Sequence, residues 1–315
     1  MFAGPNELEA FEIAPENPYF SVKNGNLYSK DGKTLYSVAS KNTQPVILDG
    51  VSLIYDRAFE FTDIESIVLP ESITNISAYA FNNCFSLKRV EFLNPDCKLS
   101  ADLQFGQGYA FNGCTALTEV VLPSNLKEIP YGTFQDCCSL YEIDLPETLE
   151  TIGDAAFANA GLVHVNLPSS LKTIGVVAFY CCPRLLDVDN RSGLSEEQLR
   201  GEFRCALTFN GNEDTYSVSG DFVFVSDETG STLAAYVGKD KEVHLPSSFR
   251  GRSYNALAET FYYFDWLGGI VSDMSLYRST RFDTHHPFSQ VEKIYSPINL
   301  KNVVLPKNAE AIYEV

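Results

Sequence analysis

A single hydrophobic pattern recurs along the chain, centred on phenylalanines at nearly constant spacing. The clearest four are Phe111, Phe134, Phe157 and Phe179, and the gaps between them are 23, 23 and 22 residues. Each is followed three residues later by a small side chain, and five or six residues later by leucine. A strand-like segment with alternating apolar residues then ends in Leu-Pro. Such self-similarity predicts a stack of structural repeats, because one repeat of this size cannot bury its apolar face alone.

The offsets within the repeat predict its parts. Leucine follows each Leu-Pro proline by three residues and isoleucine by six, so that Ile129, Ile152 and Ile174 should form one column. Each repeat should contribute a strand at its Leu-x-x-Val-x-Leu segment and a second, shorter extended or helical piece near the phenylalanine. The expected fold is a β-rich α/β solenoid, a curved leucine-rich-repeat array of about 23-residue repeats with hairpin insertions.

The pattern divides the chain into two predicted domains. Residues 1–189 form the repeat solenoid with an N-terminal hairpin insertion, in which Asp31-Gly32 predicts a type I′ turn. Residues 190–315 are a divergent continuation of the repeats or a capping region. Within them, Ser195 predicts the start of a helix over 192–204, and residues 216–237 resemble the first hairpin.

Composition and charge argue against nucleic-acid binding and membrane insertion. Acidic residues outnumber basic ones 41 to 23, giving a net charge of −18, whereas nucleic-acid binding requires lysine and arginine to displace counterions from phosphate. We therefore expect no nucleic-acid partner. The sequence contains no run of 18 apolar residues, so we expect no insertion into a membrane, and its first residues lack the basic and apolar regions of a signal peptide.

The eight cysteines follow the repeat rather than a disulfide framework. Cys84, Cys114, Cys137 and Cys182 all lie three residues after the repeat phenylalanine, and Ala160 takes this position in one repeat. A position that accepts alanine or cysteine requires a small buried group. We expect mostly reduced, structural cysteines; the alternative is one or more disulfides that involve the neighbours Cys137-Cys138 and Cys181-Cys182.

The repeat closely resembles the BspA-like leucine-rich repeats of bacterial surface proteins. The motif Ala-Phe-x-x-Cys-x-x-Leu of that family occurs at residues 80–87 and 110–117, followed by a strand that ends in Leu-Pro and then Leu-x-x-Ile. The resemblance implies a curved solenoid that is exported and displayed at the cell surface, in some members as an adhesin for host matrix proteins or other cells. It implies no catalytic residues.

Enzyme motifs are missing, and the chain has only four histidines, so we expect neither catalysis nor a cofactor. Two short segments partly match metal-binding motifs, but we expect both to be ordinary surface residues. His285-His286 would need further ligands from the fold. Asn210, Asn212, Asp214 and Asp221 match part of a calcium loop, but Thr215 stands where that loop requires glycine.

A surface is the better functional candidate. Side chains alternate along a strand, so the residues on either side of each central Val should face outward and align from repeat to repeat. Beginning with Ser66 and Val68, the predicted concave face continues through Arg89, Glu91, Glu119, Val121, Glu142, Asp144, His164, Asn166, Asp187 and Asp189. The alternative is a merely solvated face. The aromatic residues Tyr262, Tyr263 and Trp266 form a second candidate, although such a run is more often part of a core.

These observations predict a non-enzymatic, adhesin-like binding protein, secreted or attached to the cell surface. Its partner would be a protein or glycan, such as a component of the host matrix or a cell surface. The alternative is a structural scaffold or spacer module that has no ligand of its own.

Overall fold

The computed structural model describes residues 8–99, 108–180, 182, 185–195, 197–199, 208–209, 216–227, 230–236, 240, 242–248, 250, 293–296 and 312–314. The chain forms two compact units. The first comprises residues 1–182 and 189–203, and the second comprises residues 183–188 and 204–315. The predicted division into 1–189 and 190–315 stays a prediction.

Short strands make up almost all of the regular structure. In chain order they are β1 Phe20–Lys23, β2 Asn26–Ser29, β3 Thr34–Ser37, β4 Leu53–Ile54, β5 Ser66–Leu69, β6 Asn75–Ile76, β7 Arg89–Phe92, β8 Lys98–Leu99, β9 Glu119–Val121, β10 Glu128–Ile129, β11 Thr151–Ile152, β12 His164–Leu167, β13 Thr173–Ile174, β14 Asp187–Asn190, β15 Thr208–Phe209, β16 Tyr216–Ser219, β17 Phe222–Asp227, β18 Gly230–Tyr236, β19 Glu242–His244, β20 Lys293–Ser296 and β21 Ile312–Glu314. Residues 197–199 form one short helical turn. The predicted β-rich solenoid with a period near 23 residues is confirmed, with about six turns, and the described residues contain almost no helix.

The Leu-x-x-Val-x-Leu segments form the first series of strands, β5, β7, β9 and β12, which we call ladder A. Strands β5, β7 and β9 pair in parallel, with Ile67 opposite Val90 and Val90 opposite Val120. These three side chains are buried, and their neighbours along each strand face outward. The alternation predicted from the sequence is therefore present.

The isoleucines six residues after proline belong to a second series of parallel strands, β4, β6, β8, β10, β11 and β13, which we call ladder B. Ile129 pairs with Ile152, and Ile152 with Ile174. Ile129 and Ile152 are fully buried, whereas Ile174 is half-buried. The predicted column exists and becomes partly exposed at its last member.

A column of stacked phenylalanines lies at the turn between ladder B and ladder A. Successive rings are 4.5, 5.0, 5.5, 5.4 and 5.0 Å apart between centroids, and their planes lie within 17° of parallel. All six side chains are fully buried. They are Phe59, Phe81, Phe111, Phe134, Phe157 and Phe179. Backbone amides reinforce the column: that of Phe81, for example, donates to the carbonyl of Ala110 one repeat further on (2.8 Å).

The backbone around each phenylalanine is a tight double turn, not the extended or helical piece that the sequence suggested. Residues two positions before and after the phenylalanine adopt positive φ, as Tyr79 (56°) and Asn83 (56°) do around Phe81. Side chains other than glycine and asparagine rarely adopt this conformation, yet Val177 does so at 53°. Hydrogen bonds to the next repeat hold these turns, including the amide of Asn83 to the carbonyl of Asn112 (2.8 Å).

The predicted N-terminal hairpin is a three-stranded antiparallel sheet, β1-β2-β3, whose last strand joins ladder B in parallel with β4. The type I′ turn assigned to Asp31-Gly32 is wrong. Gly32 has positive φ (74°), but Asp31 does not. Asn24 and Gly25, at 50° and 74°, both have the conformation that a type I′ turn requires, and they form the two-residue connection between β1 and β2.

The second unit contains an antiparallel sheet of β16, β17 and β18, which confirms the hairpin expected over 216–237. Strands β19, β20 and β21 form a separate parallel sheet. The helix expected over 192–204 is described only at 197–199. The Ser195 hydroxyl accepts a hydrogen bond from the Gln198 amide, and the Gln198 side chain accepts one from the Ser195 amide, which is a capping box.

None of the six described cysteines forms a disulfide, as the sequence analysis expected. The four at the repeat position each direct their thiol to the carbonyl of the phenylalanine in the preceding repeat. The Sγ–O distances are 3.0 Å for Cys84, 3.1 Å for Cys114, 3.3 Å for Cys137 and 3.2 Å for Cys182. That carbonyl already accepts the amide three residues later, as Phe81 does from Cys84 (3.3 Å), so the thiol fills its second lone pair. The position therefore favours a side chain that is small and can also donate.

Replacing Ile152 with aspartate should unfold the solenoid, because the carboxylate would take the place of a fully buried side chain between Ile129 and Ile174. We expect Ile152→Asp to lower the free energy of unfolding by about 3–5 kcal/mol, measured by urea denaturation. Thr173→Asp, on the exposed side of β13, is the matched control and should change stability by no more than about 0.5 kcal/mol. Equal stability of the two variants would contradict the assigned register.

Because the repeat cysteines are buried, we expect the stability of the protein to depend on pH. Burial raises the pKa of the Cys114 and Cys137 thiols well above their ordinary value, whereas in the unfolded chain they ionise near about 8.5. Their contribution to stability is complete below that pH and is lost as pH rises, because only the unfolded chain releases the protons.

We expect Cys114→Ala to cost about 1–2 kcal/mol at pH 7 and to lose less stability than the wild type between pH 7 and pH 10. Urea denaturation at both pH values provides the measurement. Parallel losses in the two proteins would show that the Cys114 thiol does not titrate as described.

Candidate binding surface

The outward side chains of ladder A form two rows that run across the repeats. In the first row Ser66, Arg89 and Glu119 are cross-strand neighbours, and in the second Val68 is followed by Glu91 and Val121. Neighbouring strands of a sheet lie about 4.8 Å apart, so each row is continuous on the scale of a ligand. A partner can therefore contact several repeats at once.

In the next two repeats the candidate side chains also face outward. Glu142 and Asp144 are exposed on either side of Ile143, although no strand is assigned there. His164 and Asn166 are exposed on β12, on either side of buried Val165. The structure thus places these candidate side chains on the outside of the solenoid, as the sequence predicted; whether they bind a ligand stays a prediction.

The last two candidates lie on β14. Asp187 and Asp189 are half-buried and flank buried Val188. Asp187 belongs to the second compact unit, where it lies opposite Thr208 of β15, and Asp189 belongs to the first. Asp189 is 3.6 Å from Arg191, which also contacts Glu147 at 2.8 Å.

Part of the acidic charge on this face is neutralised internally. Arg89 lies 2.9 Å from Glu91 on its own strand and 2.9 Å from Glu119 on the next. The hydrogen bond to Glu119 and then that to Glu91 raise the pKa of the Arg89 guanidinium. In the folded protein Arg89, Glu91 and Glu119 form one partly exposed network with a single net negative charge.

Glu142 and Asp144 form the strongly acidic part of the surface. Both are exposed, and among the residues that the structure describes no lysine, arginine or histidine lies within ion-pair distance of either one. On the preceding strand Val121 is 40% exposed, and on the following strand His164 and Asn166 offer ring and amide groups. The patch combines two carboxylates with apolar and hydrogen-bonding neighbours.

The structure also reveals an aromatic row that the sequence analysis missed. The Arg57 guanidinium lies 4.2 Å from the centre of the Tyr79 ring, which stacks on Tyr109 at 5.1 Å. Tyr131 meets Tyr109 edge-on at 4.9 Å and is partly exposed. Burial, together with the hydrogen bond to Tyr131, raises the pKa of Tyr109. Tyr79 and Tyr109 both precede a repeat phenylalanine by two residues, which is the sequence signal for this row.

The other candidates gain no structural description. The aromatic candidates Tyr262, Tyr263 and Trp266 lie outside the described residues, as do His285, His286 and most of the calcium-like segment. Within the described part of the chain, no group of three His, Cys, Asp or Glu side chains could hold a metal ion. No described helix is long and apolar enough to cross a membrane.

Comparison with known proteins identifies the repeat. A family profile for the BspA type leucine-rich repeat region matches in six copies, over residues 36–106 and 52–186. No curated protein matches the chain.

Several solved bacterial structures are similar to the chain. A leucine-rich repeat protein of T. pallidum is 31% identical over 48% of this chain and 72% of its own, with a TM-score of 0.39. A leucine-rich cell surface protein of Faecalibacterium prausnitzii is 22% identical over 74% of this chain and 66% of its own, with a TM-score of 0.41. A leucine-rich repeat protein of Eubacterium ventriosum is 23% identical over 60% of this chain and 54% of its own, with a TM-score of 0.44.

Proposed function

Because the chain belongs, through residues 36–186, to the BspA-type family of bacterial leucine-rich repeat proteins, we propose that it is a non-enzymatic binding protein. It presents the outer face of ladder A to a protein or a glycan. It acts in the secreted space or at the cell surface, where a host matrix component or a cell-surface component is the class of partner. Repeat solenoids commonly bind through such extended faces.

One observation carries this proposal: side chains of the same position in successive repeats are aligned and exposed over a continuous surface. Ser66, Arg89 and Glu119 lie in register across three strands, and their inward neighbours are buried. The core therefore fixes the backbone, and the outward residues can vary at little cost to stability. A rigid sheet with freely chosen side chains is a suitable base for recognition, because little conformational entropy is lost on binding.

Charge indicates where on the face a partner binds. The Arg89 cation compensates one of the two carboxylates beside it, so this part of the face has a net charge of only one negative unit. Glu142 and Asp144 have no such partner among the described residues. We place the centre of the interface on these two residues, with Val121 and His164 beside them. The partner should therefore present basic or hydrogen-bond-donating groups.

The spacer alternative makes a different prediction. A scaffold module with no ligand of its own would bind nothing in a screen against matrix proteins and glycans, whatever its surface charge. The binding screen therefore distinguishes the two functions, and the charge-reversal experiment below applies to a ligand that the screen has identified.

Reversing Glu142 and Asp144 to lysine should weaken binding at this face at least tenfold, because the change replaces attraction by repulsion. Binding of the strongest hit from an immobilised screen of matrix proteins and glycans should be measured by biolayer interferometry, at low and at physiological salt. The difference between variant and wild type should be larger at low salt, where screening is weaker. Both residues are exposed, so the melting temperature should remain the same.

The matched control is the double variant Glu71→Lys/Glu128→Lys. Glu71 follows β5 and Glu128 lies on ladder B; both are exposed, and the variant changes the net charge by the same amount. It should bind like the wild type. Equal affinities of all three proteins would exclude the Glu142–Asp144 patch, and equal losses in both variants would show that binding depends on overall charge alone.

A further inference from the structure

The first turn of the solenoid lacks a strand of ladder A. The segment that precedes this turn is joined to it through the Asp63 amide, which donates to the carbonyl of Ser40 (3.4 Å). Residues 44–47 lie beside residues 66–69, which form β5, because both segments line one groove. Yet in the described part of the chain β5 pairs with β7 alone. Residues 44–47 therefore occupy the position of a strand without forming one.

The hydrogen-bonding pattern of ladder A shows which backbone groups of β5 point away from β7. The amide of Arg89 donates to the carbonyl of Glu65, and the amide of Leu93 donates to that of Leu69 (2.9 Å). Alternate residues of a parallel strand bond to opposite neighbours. Ser66 and Val68 must then direct their amides and carbonyls to the other edge of β5, toward residues 44–47.

Proline at position 45 is unfavourable for a strand of the ladder. Pro45 has no amide hydrogen, and proline within a sheet is confined to edges and strand ends for this reason. Among the described residues, the edge of β5 is open at Ser66 and Val68.

A groove of 810 Å³ lies between the two segments. One wall is formed by residues 43–47 and the other by Asp63 and by residues 65–68 with Pro70. The first wall is anchored from behind, because the Tyr28 hydroxyl donates to the carbonyl of Val46 (3.1 Å). The groove therefore has defined walls on both sides.

We propose that this groove binds an extended segment of a partner protein, which adds a strand to the open edge of β5. Main-chain hydrogen bonds to Ser66 and Val68 would provide the pairing, as in other cases of strand addition. At about 3.3 Å per residue, the four residues of β5 accommodate a segment of about four to six residues.

The lining defines the composition of that segment. Val46 is 59% exposed and Val68 48% exposed, so both walls offer apolar side chains. The charged lining residues are Asp63 and Glu65, and both are acidic. Their lysine neighbours, Lys41 at 3.8 Å and Lys88 at 2.9 Å, are in exposed pairs that contribute little energy and that an incoming cation can replace. The segment should alternate β-branched apolar residues with basic ones.

This inference does not rest on the proposed function. The groove uses the backbone edge of the first ladder A strand, whereas the proposed interface uses the side chains of Glu142 and Asp144 three repeats further on. The Glu142→Lys/Asp144→Lys variant should therefore bind a groove peptide as the wild type does, and the two hypotheses can fail separately.

The test uses synthetic peptides and fluorescence anisotropy with the full chain. The probe is a labelled hexapeptide of alternating lysine and valine, and its control has the same charge but proline in place of the two internal valines. The wild type should bind the alternating peptide at least tenfold more tightly than the proline peptide, since proline removes the amides needed for pairing. Equal binding of both peptides, or binding of neither, would overturn the proposal.

One variant locates the binding site. Val68→Pro removes an amide from the open edge and should reduce peptide affinity at least tenfold, without lowering the melting temperature. If Val68→Pro binds the peptide like the wild type, the edge of β5 is not its site.

The control for Val68→Pro is Val121→Pro on β9. Val121 occupies the same position in the repeat, but its amide points toward β7, so this proline should break a ladder hydrogen bond and lower the melting temperature. If Val68→Pro and Val121→Pro destabilise the protein equally, β5 has no open edge and the proposal is wrong.

Discussion

The rest of the structure depends on the stacking of six phenylalanines in one buried column. Each ring lies 4.5–5.5 Å from the next and nearly parallel to it, and no ring is accessible to solvent. A single repeat could not bury its phenylalanine, because both faces of the ring are covered by neighbouring repeats. Stability is therefore shared between neighbours, as in other solenoids. The period of the column sets the spacing at which the two ladders of strands can pair.

The turns around this column show how packing can maintain an unfavourable backbone. In five of the six turns both flanking residues are described and have positive φ, and several of them are neither glycine nor asparagine. Such conformations persist where the surrounding structure determines them. Here the determinants are amide–carbonyl bonds to the next repeat and the thiol that reaches the carbonyl of the preceding phenylalanine. The cysteine position therefore links two repeats through a hydrogen bond as well as by filling space.

The functional surface follows from the same arrangement. Because the apolar columns fix the inner side of every strand, the outer residues of ladder A are free to carry recognition chemistry. Charge on this face is not distributed as a simple count of acids would suggest. Arg89 bridges two carboxylates, whereas Glu142 and Asp144 remain exposed. The negative electrostatic potential that a partner meets is therefore concentrated in the middle of the array.

The sequence by itself determined the repeat period, the inward and outward residues of each strand, the two hairpin insertions and the need for a small buried side chain at the repeat cysteine position. It could do so because a periodic pattern places every copy of a residue such as Ile152 in the same environment. Local turn chemistry was less well determined: Asp31-Gly32 and Asn24-Gly25 both fit a type I′ turn, and the pairing of β1 with β2 selects the second.

Only the tertiary structure decided which side chains meet between repeats. Arg89 and Glu119 are 30 residues apart and come together through the register of β7 with β9. One edge of β5 is open because the alternation of hydrogen bonds in ladder A directs the backbone groups of Ser66 away from β7. Both outcomes depend on distances between neighbouring repeats. Those distances are set by how the phenylalanine column stacks, and the pattern within one repeat does not contain them.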